Sequence, residues 1–160
     1  MSDMNKKPIA IDLTIIDQTS NYSGFIPSEE QLTSWVAQAI KAQHPNAEIG
    51  ICLLDKASIQ GYNQTYRQLH KPTNVLAFPT TEVELQNCHL LGDILACPEI
   101  INQEAIEQQL TEIAHWTHII VHACLHLLGF DHISDSDAKT MEAEEIQILK
   151  QLGVANPYER

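Results

Sequence analysis

The string HACLHLLGFDH, residues 122–132, restricts the possible folds of this chain more than any other feature of its sequence. His122 and His126 stand four residues apart, and on a helix this spacing places both imidazoles on one face, one turn apart. Gly129 follows three residues later, and without a Cβ it can take the left-handed backbone that reverses a chain. The string therefore predicts a helix, a tight turn at Gly129, and the return of His132 towards the pair.

Three imidazoles placed in this way can bind one metal ion. Their nitrogens can converge on zinc at about 2.0–2.1 Å and leave a fourth position for water, which is typical of a catalytic zinc. We predict one Zn²⁺ per chain, bound by His122, His126 and His132. His118 shares the helix face, but the eight residues to His126 rise about 12 Å, so it is expected to support a ligand or only to pack. His115 is predicted to be an ordinary, partly exposed residue.

The spacing H-x-x-x-H-x-x-G-x-x-H also occurs in metzincin peptidases, which have a glutamate after the first histidine as the general base. In this chain that position is Ala123, which cannot transfer a proton. The metal ligands therefore match the peptidase pattern and the base does not. Glu142, Glu144 and Glu145 are predicted to form a solvated helix face.

Length and composition predict a single domain that spans residues 1–160. The chain has 160 residues, 44% of them hydrophobic, which is enough to bury a core. No apolar run reaches the roughly 20 residues that cross a bilayer, and the N-terminus has no apolar signal-peptide region. We therefore expect a cytoplasmic protein without a membrane partner. The four scattered cysteines are expected to be reduced.

The charge of the chain bears on its binding partners. A formal net charge of −12 disfavours binding to a polyanion. The segment from Lys56 to Lys71, however, contains three basic residues, Lys56, Arg67 and Lys71, and no acid. Any surface that binds anions is expected to use this segment.

The hydrophobic periodicity predicts strands early in the chain and helices late, which indicates an α+β fold. Predicted strands cover residues 8–17, 48–54 and 88–96, with a short strand between loops in 70–81 and a bulge or close approach at Gly92. One predicted helix begins after Ser28. The other predicted helices cover residues 56–69, Pro98 to about Gln109, about 112–128 and about 135–151.

Several blocks of the sequence resemble the YbeY endoribonucleases. HACLHLLGFDH resembles their metal-binding signature, H-G-x-L-H-L-x-G-Y-D-H. TYRQLHKPTNVLAFP, residues 65–79, and LGDILACPE, residues 91–99, are similar to two further blocks of the family. The chain departs from these patterns at Ala77, Ala123 and Phe130, where the family usually has Ser, Gly and Tyr.

This resemblance implies a zincin-like fold, with a small mixed sheet, surrounding helices and a metal-binding helix near the C-terminus. It implies a zinc-dependent, single-strand-specific endoribonuclease that matures ribosomal RNA, notably at the 16S 3′ end, and acts in ribosome quality control. The family's motif arginine corresponds to Arg67, and its three zinc ligands correspond to His122, His126 and His132. Ribosomal RNA and a ribosomal particle or protein are the implied partners.

The chemistry of phosphodiester hydrolysis gives roles to two basic residues. Arg67 can hold phosphate oxygens with two parallel hydrogen bonds and a permanent charge, and Lys71 can add a substrate contact. The nucleophile is either a water activated by zinc or the RNA 2′-hydroxyl. Asp93 either lies near the site or caps a turn. A zinc peptidase and a ribosome-associated factor with a mainly structural zinc are the alternative functions.

Overall fold

A computed structural model describes residues 11–40, 47–80, 90–131 and 133–159 of the chain. Its elements follow in this order: β1 (Asp12–Asp17), α1 (Glu29–Ile40), β2 (Glu48–Leu53), α2 (Lys56–Arg67), β3 (Val75–Pro79), β4 (Leu90–Ala96), α3 (Pro98–Glu107), α4 (Glu112–Leu127) and α5 (Asp135–Gln151).

The strands form one four-stranded sheet in the order β1-β2-β4-β3. β1, β2 and β4 run parallel, and β3 pairs antiparallel with β4. Each parallel neighbour is reached through a helix, as parallel connections require. The predicted α+β fold with a small mixed sheet is therefore confirmed.

The two faces of the sheet are covered differently. Ile49 and Ile51 point from β2 into the main core, where α1, α3, α4 and α5 also bury their apolar side chains. On the outer face, Ile59 of α2 packs in a smaller cluster with Leu76 and Leu95. α4 therefore lies against the inner face of the sheet and α2 against the outer face.

The helix starts agree with the capping residues of the sequence. Ser28 and Gln31 form a reciprocal capping box before α1, with the Gln31 N–H donating to Ser28 Oγ at 3.1 Å. Asp55 accepts a hydrogen bond from the Ser58 N–H at the start of α2. The predicted start of the 8–17 strand and the first two residues of the 88–96 strand lie outside the described residues, as do residues 41–46 after α1. The remaining predicted boundaries agree with the structure to within two residues.

A β-bulge or a close approach was predicted at Gly92, and the structure has both. Glu48 pairs with Leu90 and Ile49 pairs with Gly92, so one extra residue lies in β4. Gly92 has a φ of 151°, and a Cβ there would collide with the Phe78 carbonyl oxygen and lie 2.8 Å from Leu127 Cδ2. The bulge thus allows the end of α4 to pack closely against β3 and β4.

Replacing Gly92 by Ala is expected to destabilise the protein by about 2–4 kcal/mol, because the methyl group meets backbone atoms and the φ angle is strained. Urea unfolding measures the change. Gly61→Ala is the matched control: Gly61 lies within α2 with open space around it, so roughly 0.5–1 kcal/mol of added stability is expected. Parental stability for Gly92→Ala would contradict the close approach.

Candidate functional site

Helix α4 carries the histidines on a stripe that faces α5. Thr111 caps the helix by accepting a hydrogen bond from the Ala114 N–H at 3.1 Å. Most of the helix circumference is buried in the main core, while His118, His122 and His126 are only half-buried. The i, i+4, i+8 spacing of these three residues explains the stripe.

His122 and His126 converge through their Nε2 atoms. These atoms lie 3.1 Å apart, and the rings stand at 81° with centroids 4.7 Å apart. Two nitrogens that bind one tetrahedral ion at 2.0–2.1 Å would be about 3.3 Å apart. The observed separation is close to that value, so the pair fits two positions of such an ion.

Glu145 of α5 accepts hydrogen bonds from both of the neighbouring histidines. His122 Nδ1–H donates to Oε1 at 2.6 Å, and His118 Nε2–H donates to Oε2 at 2.8 Å. The Tyr158 hydroxyl also donates to Oε2, at 2.6 Å. Glu145 itself is 0% exposed.

The hydrogen bonds keep the Glu145 carboxyl ionised. Burial raises its pKa, but the hydrogen bonds from His118, His122 and Tyr158 outweigh burial and lower the pKa to about 2. An ionised carboxylate can only accept, so His122 carries its proton on Nδ1 and directs a lone pair from Nε2 towards His126. Burial and the same carboxylate raise the pKa of Tyr158.

The prediction that Glu145 belongs to a solvated face was wrong, although Glu142 and Glu144 remain partly exposed. A sequence signal did exist: Glu145 lies four residues after Met141 and four before Leu149, and both of these are buried. It therefore sits in the apolar stripe of its helix. Only its partners across the helix interface explain a carboxylate there.

The prediction for His115 was also wrong. This residue is 4% exposed, and its Nε2 lies 3.0 Å from Glu104 Oε1 of α3. Burial raises the pKa of Glu104, while hydrogen bonds from His115 and Asn74 outweigh it and leave the pKa lowered. His115 thus connects α4 through Glu104 to α3 and to the segment before β3, about two helical turns before His122. His118, for which two roles were left open, contacts Glu145, the carboxylate that also contacts His122.

His132 lies outside the described residues, so its predicted ligation is untested. The turn before it agrees with the prediction: Gly129 has a φ of 99°, and the Phe130 N–H donates to the Leu125 carbonyl at 3.0 Å. Within the described ranges, no three His, Cys, Asp or Glu side chains form a metal-binding group.

The predicted basic residues lie at and after the end of α2. Arg67 is in the last turn of the helix, and both its side chain and that of Lys71 are exposed. The backbone of Lys71 is held in place, because its carbonyl accepts a hydrogen bond from Asn63 Nδ2 at 2.9 Å. In the described part of the chain, no carboxylate forms a salt bridge with Arg67 or Lys71.

The end of α2 and the end of α4 approach the same part of β3 from opposite faces. Tyr66, next to Arg67, packs its ring edge-on against Phe78 with centroids 5.0 Å apart. Leu127, next to His126, packs at Gly92, which pairs with Pro79. The residue before Arg67 therefore contacts the outer face of β3, and the residue after His126 packs on the inner face beside β3 and β4.

A concave region lies on the outer face of the sheet. It is a groove of about 630 Å³, and its described lining residues come from the strands, from Gln18 after β1 and from α2. Asp93 lies in this groove and covers Gly50, where a Cβ would touch its carboxylate. Asp93 is thus on the face of the sheet opposite α4.

Comparison with known proteins identifies the family. The sequence profile of Endoribonuclease YbeY matches residues 15–153, which is most of the chain. The chain belongs to the YbeY endoribonuclease family. This family acts on RNA in ribosomal RNA maturation and is generally metal-dependent.

One solved structure has a fold similar to that of this chain. The solution structure of TM1509 from Thermotoga maritima matches with a TM-score of 0.55 and 22% sequence identity, over 92% of this chain and 99% of that chain. At this identity the likeness concerns the fold alone. No helix in the described part of this YbeY family member is long and apolar enough to cross a membrane.

Proposed function

We propose that this chain is a zinc-dependent endoribonuclease that cleaves single-stranded RNA, matures the 3′ end of 16S ribosomal RNA and acts in ribosome quality control. The observation that carries the proposal is the convergence of His122 and His126 at 3.1 Å beside a buried carboxylate. In a chain of an endoribonuclease family, such a pair is best explained as part of the catalytic centre.

His122 and His126, on helix α4 of a zincin-like fold, would hold the zinc together with His132, which follows the helix in the sequence. The described pair supports two of these ligands, and the reversal at Gly129 supports the third. When bound, zinc supplies a Lewis acid for a phosphoryl oxygen and lowers the pKa of a coordinated water.

Arg67 and Lys71 would contact the RNA backbone. The Arg67 guanidinium can donate two parallel hydrogen bonds to phosphate oxygens and oppose the charge that develops on them. Lys71 would add a single-point contact to a neighbouring phosphate. Both side chains are exposed, which supports these roles because an anion in solution can reach them.

Neither Ala123 nor Glu145 is suited to act as a general base. Ala123 has no ionisable group, and Glu145 is fully buried with both oxygens already accepting hydrogen bonds. The nucleophile is therefore a water or the RNA 2′-hydroxyl, and no carboxylate at position 123 or 145 removes its proton. The product distinguishes the two, because attack by the 2′-hydroxyl leaves a 2′,3′-cyclic phosphate.

The net charge of −12 favours a partner that brings the RNA to the site. We propose that a ribosomal particle or a basic ribosomal protein has this role.

Two alternative functions each have one observation in their favour. The net charge favours a ribosome-associated factor with a structural zinc, and the metzincin-like spacing of the histidines favours a peptidase. Cleavage of RNA by zinc-loaded protein, and not by the metal-free protein, would exclude both. The cytoplasmic location and the single domain over 1–160 stay predictions.

Replacing His126 by Ala is expected to reduce the bound zinc from about one per chain to a small fraction, because two ligands remain. It should also abolish the rise in melting temperature that zinc gives the parental protein. Elemental analysis and thermal unfolding with and without zinc measure both effects. His115→Ala is the matched control on α4: it should lower stability through the loss of the Glu104 contact and keep its zinc. Equal loss of zinc in both variants would contradict the ligand assignment.

Replacing Arg67 by Ala is expected to slow RNA cleavage by roughly 10²–10³-fold, the usual effect of losing one contact to transition-state charge. Zinc content and folding should remain unchanged, because the side chain is exposed. Arg67→Lys should recover part of the rate, since an ammonium lacks the planar pair of donors. Lys56→Ala serves as the control, because Lys56 is at the other end of α2, 3.9 Å from Glu99. Parental cleavage by Arg67→Ala would remove Arg67 from the mechanism.

A further inference from the structure

The Glu145 carboxylate is a shared acceptor for three parts of the chain. His122 occupies Oε1 at 2.6 Å, while His118 and Tyr158 occupy Oε2 at 2.8 and 2.6 Å. Two of the donors lie on α4, one turn apart, and the third lies in the C-terminal tail after α5. All three converge on a residue that is 0% exposed.

We infer that Glu145 is a positioning residue for the metal centre, and that Tyr158 and His118 hold its carboxylate in the orientation that His122 requires. The inference rests on the proposed metal-binding function of His122. It assigns a role to the helix that follows the histidine motif and to the tail, neither of which supplies a proposed ligand.

The geometry at His122 explains how Glu145 would act. The imidazole is held at Nδ1, and its opposite nitrogen, Nε2, points at Nε2 of His126. The hydrogen bond at Nδ1 limits rotation of the ring about the Cβ–Cγ bond and keeps the lone pair on Nε2. Carboxylates that hold a ligand histidine in this way commonly change metal affinity by about 10–100-fold.

Tyr158 connects this support to the C-terminal tail. Its hydroxyl is bonded to Glu145, and its ring packs edge-on against His118 with centroids 5.8 Å apart. The hydroxyl and His118 share Oε2, so the carboxylate cannot turn without breaking both contacts. The tail thereby limits the movement of a group that contacts His122, although Tyr158 itself is 45% exposed.

If Glu145 had a purely structural role, its replacement would lower stability without a specific effect on metal binding. A second histidine–carboxylate pair, with its histidine on α4, allows the two roles to be compared. Glu104 contacts His115 of the same helix at 3.0 Å, in a second histidine–carboxylate pair whose histidine lies about two turns before His122. Glu104→Gln therefore alters the same kind of interaction without altering the metal centre. Both Gln variants are expected to lose some stability, but only Glu145→Gln should alter metal binding.

The experiment measures the affinity of the full chain for Zn²⁺ and Co²⁺ by competition with a chromophoric chelator, together with the visible spectrum of the Co²⁺ form. Glu145→Gln should weaken both affinities by about 10–100-fold and change the Co²⁺ spectrum. Tyr158→Phe should weaken them by about 2–10-fold, as expected for one hydrogen bond that acts through Glu145. Glu104→Gln should bind both metals like the parental protein, and Glu145→Asp should bind more weakly than parental.

The outcomes separate this inference from the proposed function. A parental protein that binds neither metal stoichiometrically would overturn the metal centre and this role with it. A parental protein that binds, with Glu145→Gln of equal affinity and unchanged spectrum, would overturn the positioning role alone. Equal losses in Glu104→Gln and Glu145→Gln would also overturn it, because they would indicate a general effect of stability. If Glu145→Gln does not fold, Tyr158→Phe decides the question, and parental affinity in that variant would overturn the role of the tail.

Discussion

Helix α4 is buried on most of its circumference, and its half-buried stripe of histidines packs against α5. Trp116, Ile120 and Cys124 are 0% exposed in the main core, so their burial fixes the rotation of the helix about its axis. Imidazoles in such an interface need hydrogen-bond partners within the protein. Glu145 of α5 provides the acceptor, and in turn the buried carboxylate is stabilised by the donors that converge on it. The two helices are therefore interdependent through one carboxylate.

The surrounding elements hold α4 in the position in which it contacts α5. The inner face of the sheet supports α4, and the bulge at Gly92 lets Leu127 at its end pack closely. β3 forms the edge of the sheet and separates the end of α2 from the end of α4. An RNA strand that contacts both Arg67 and the histidine pair would have to pass this edge. The acidic remainder of the chain would then restrict where the strand can lie.

The parts of the fold that the sequence predicted depend on local interactions. Ser28 with Gln31, and Asp55, cap helices through contacts within four residues, which a reader of the sequence can recognise. Gly92 within an apolar strand indicated its bulge for the same reason. Glu145 and His115 were misjudged because their partners lie on other elements, and charged or polar residues in a helix are exposed more often than buried. The apolar neighbours of Glu145 were the available signal.

The sequence by itself determined the helix with two histidines on one face, the reversal at Gly129 and the isolated basic segment that contains Arg67. Each of these follows from residue type and spacing over a few residues, and the ordered motifs also indicated the family. Only the tertiary structure decided that Nδ1 of His122 donates to a buried carboxylate, that Tyr158 reaches the same carboxylate from the tail, and that the basic segment approaches β3 from the opposite face of the sheet. The physical reason is that these contacts join elements distant in sequence, and their geometry is set by how the helices pack on the sheet.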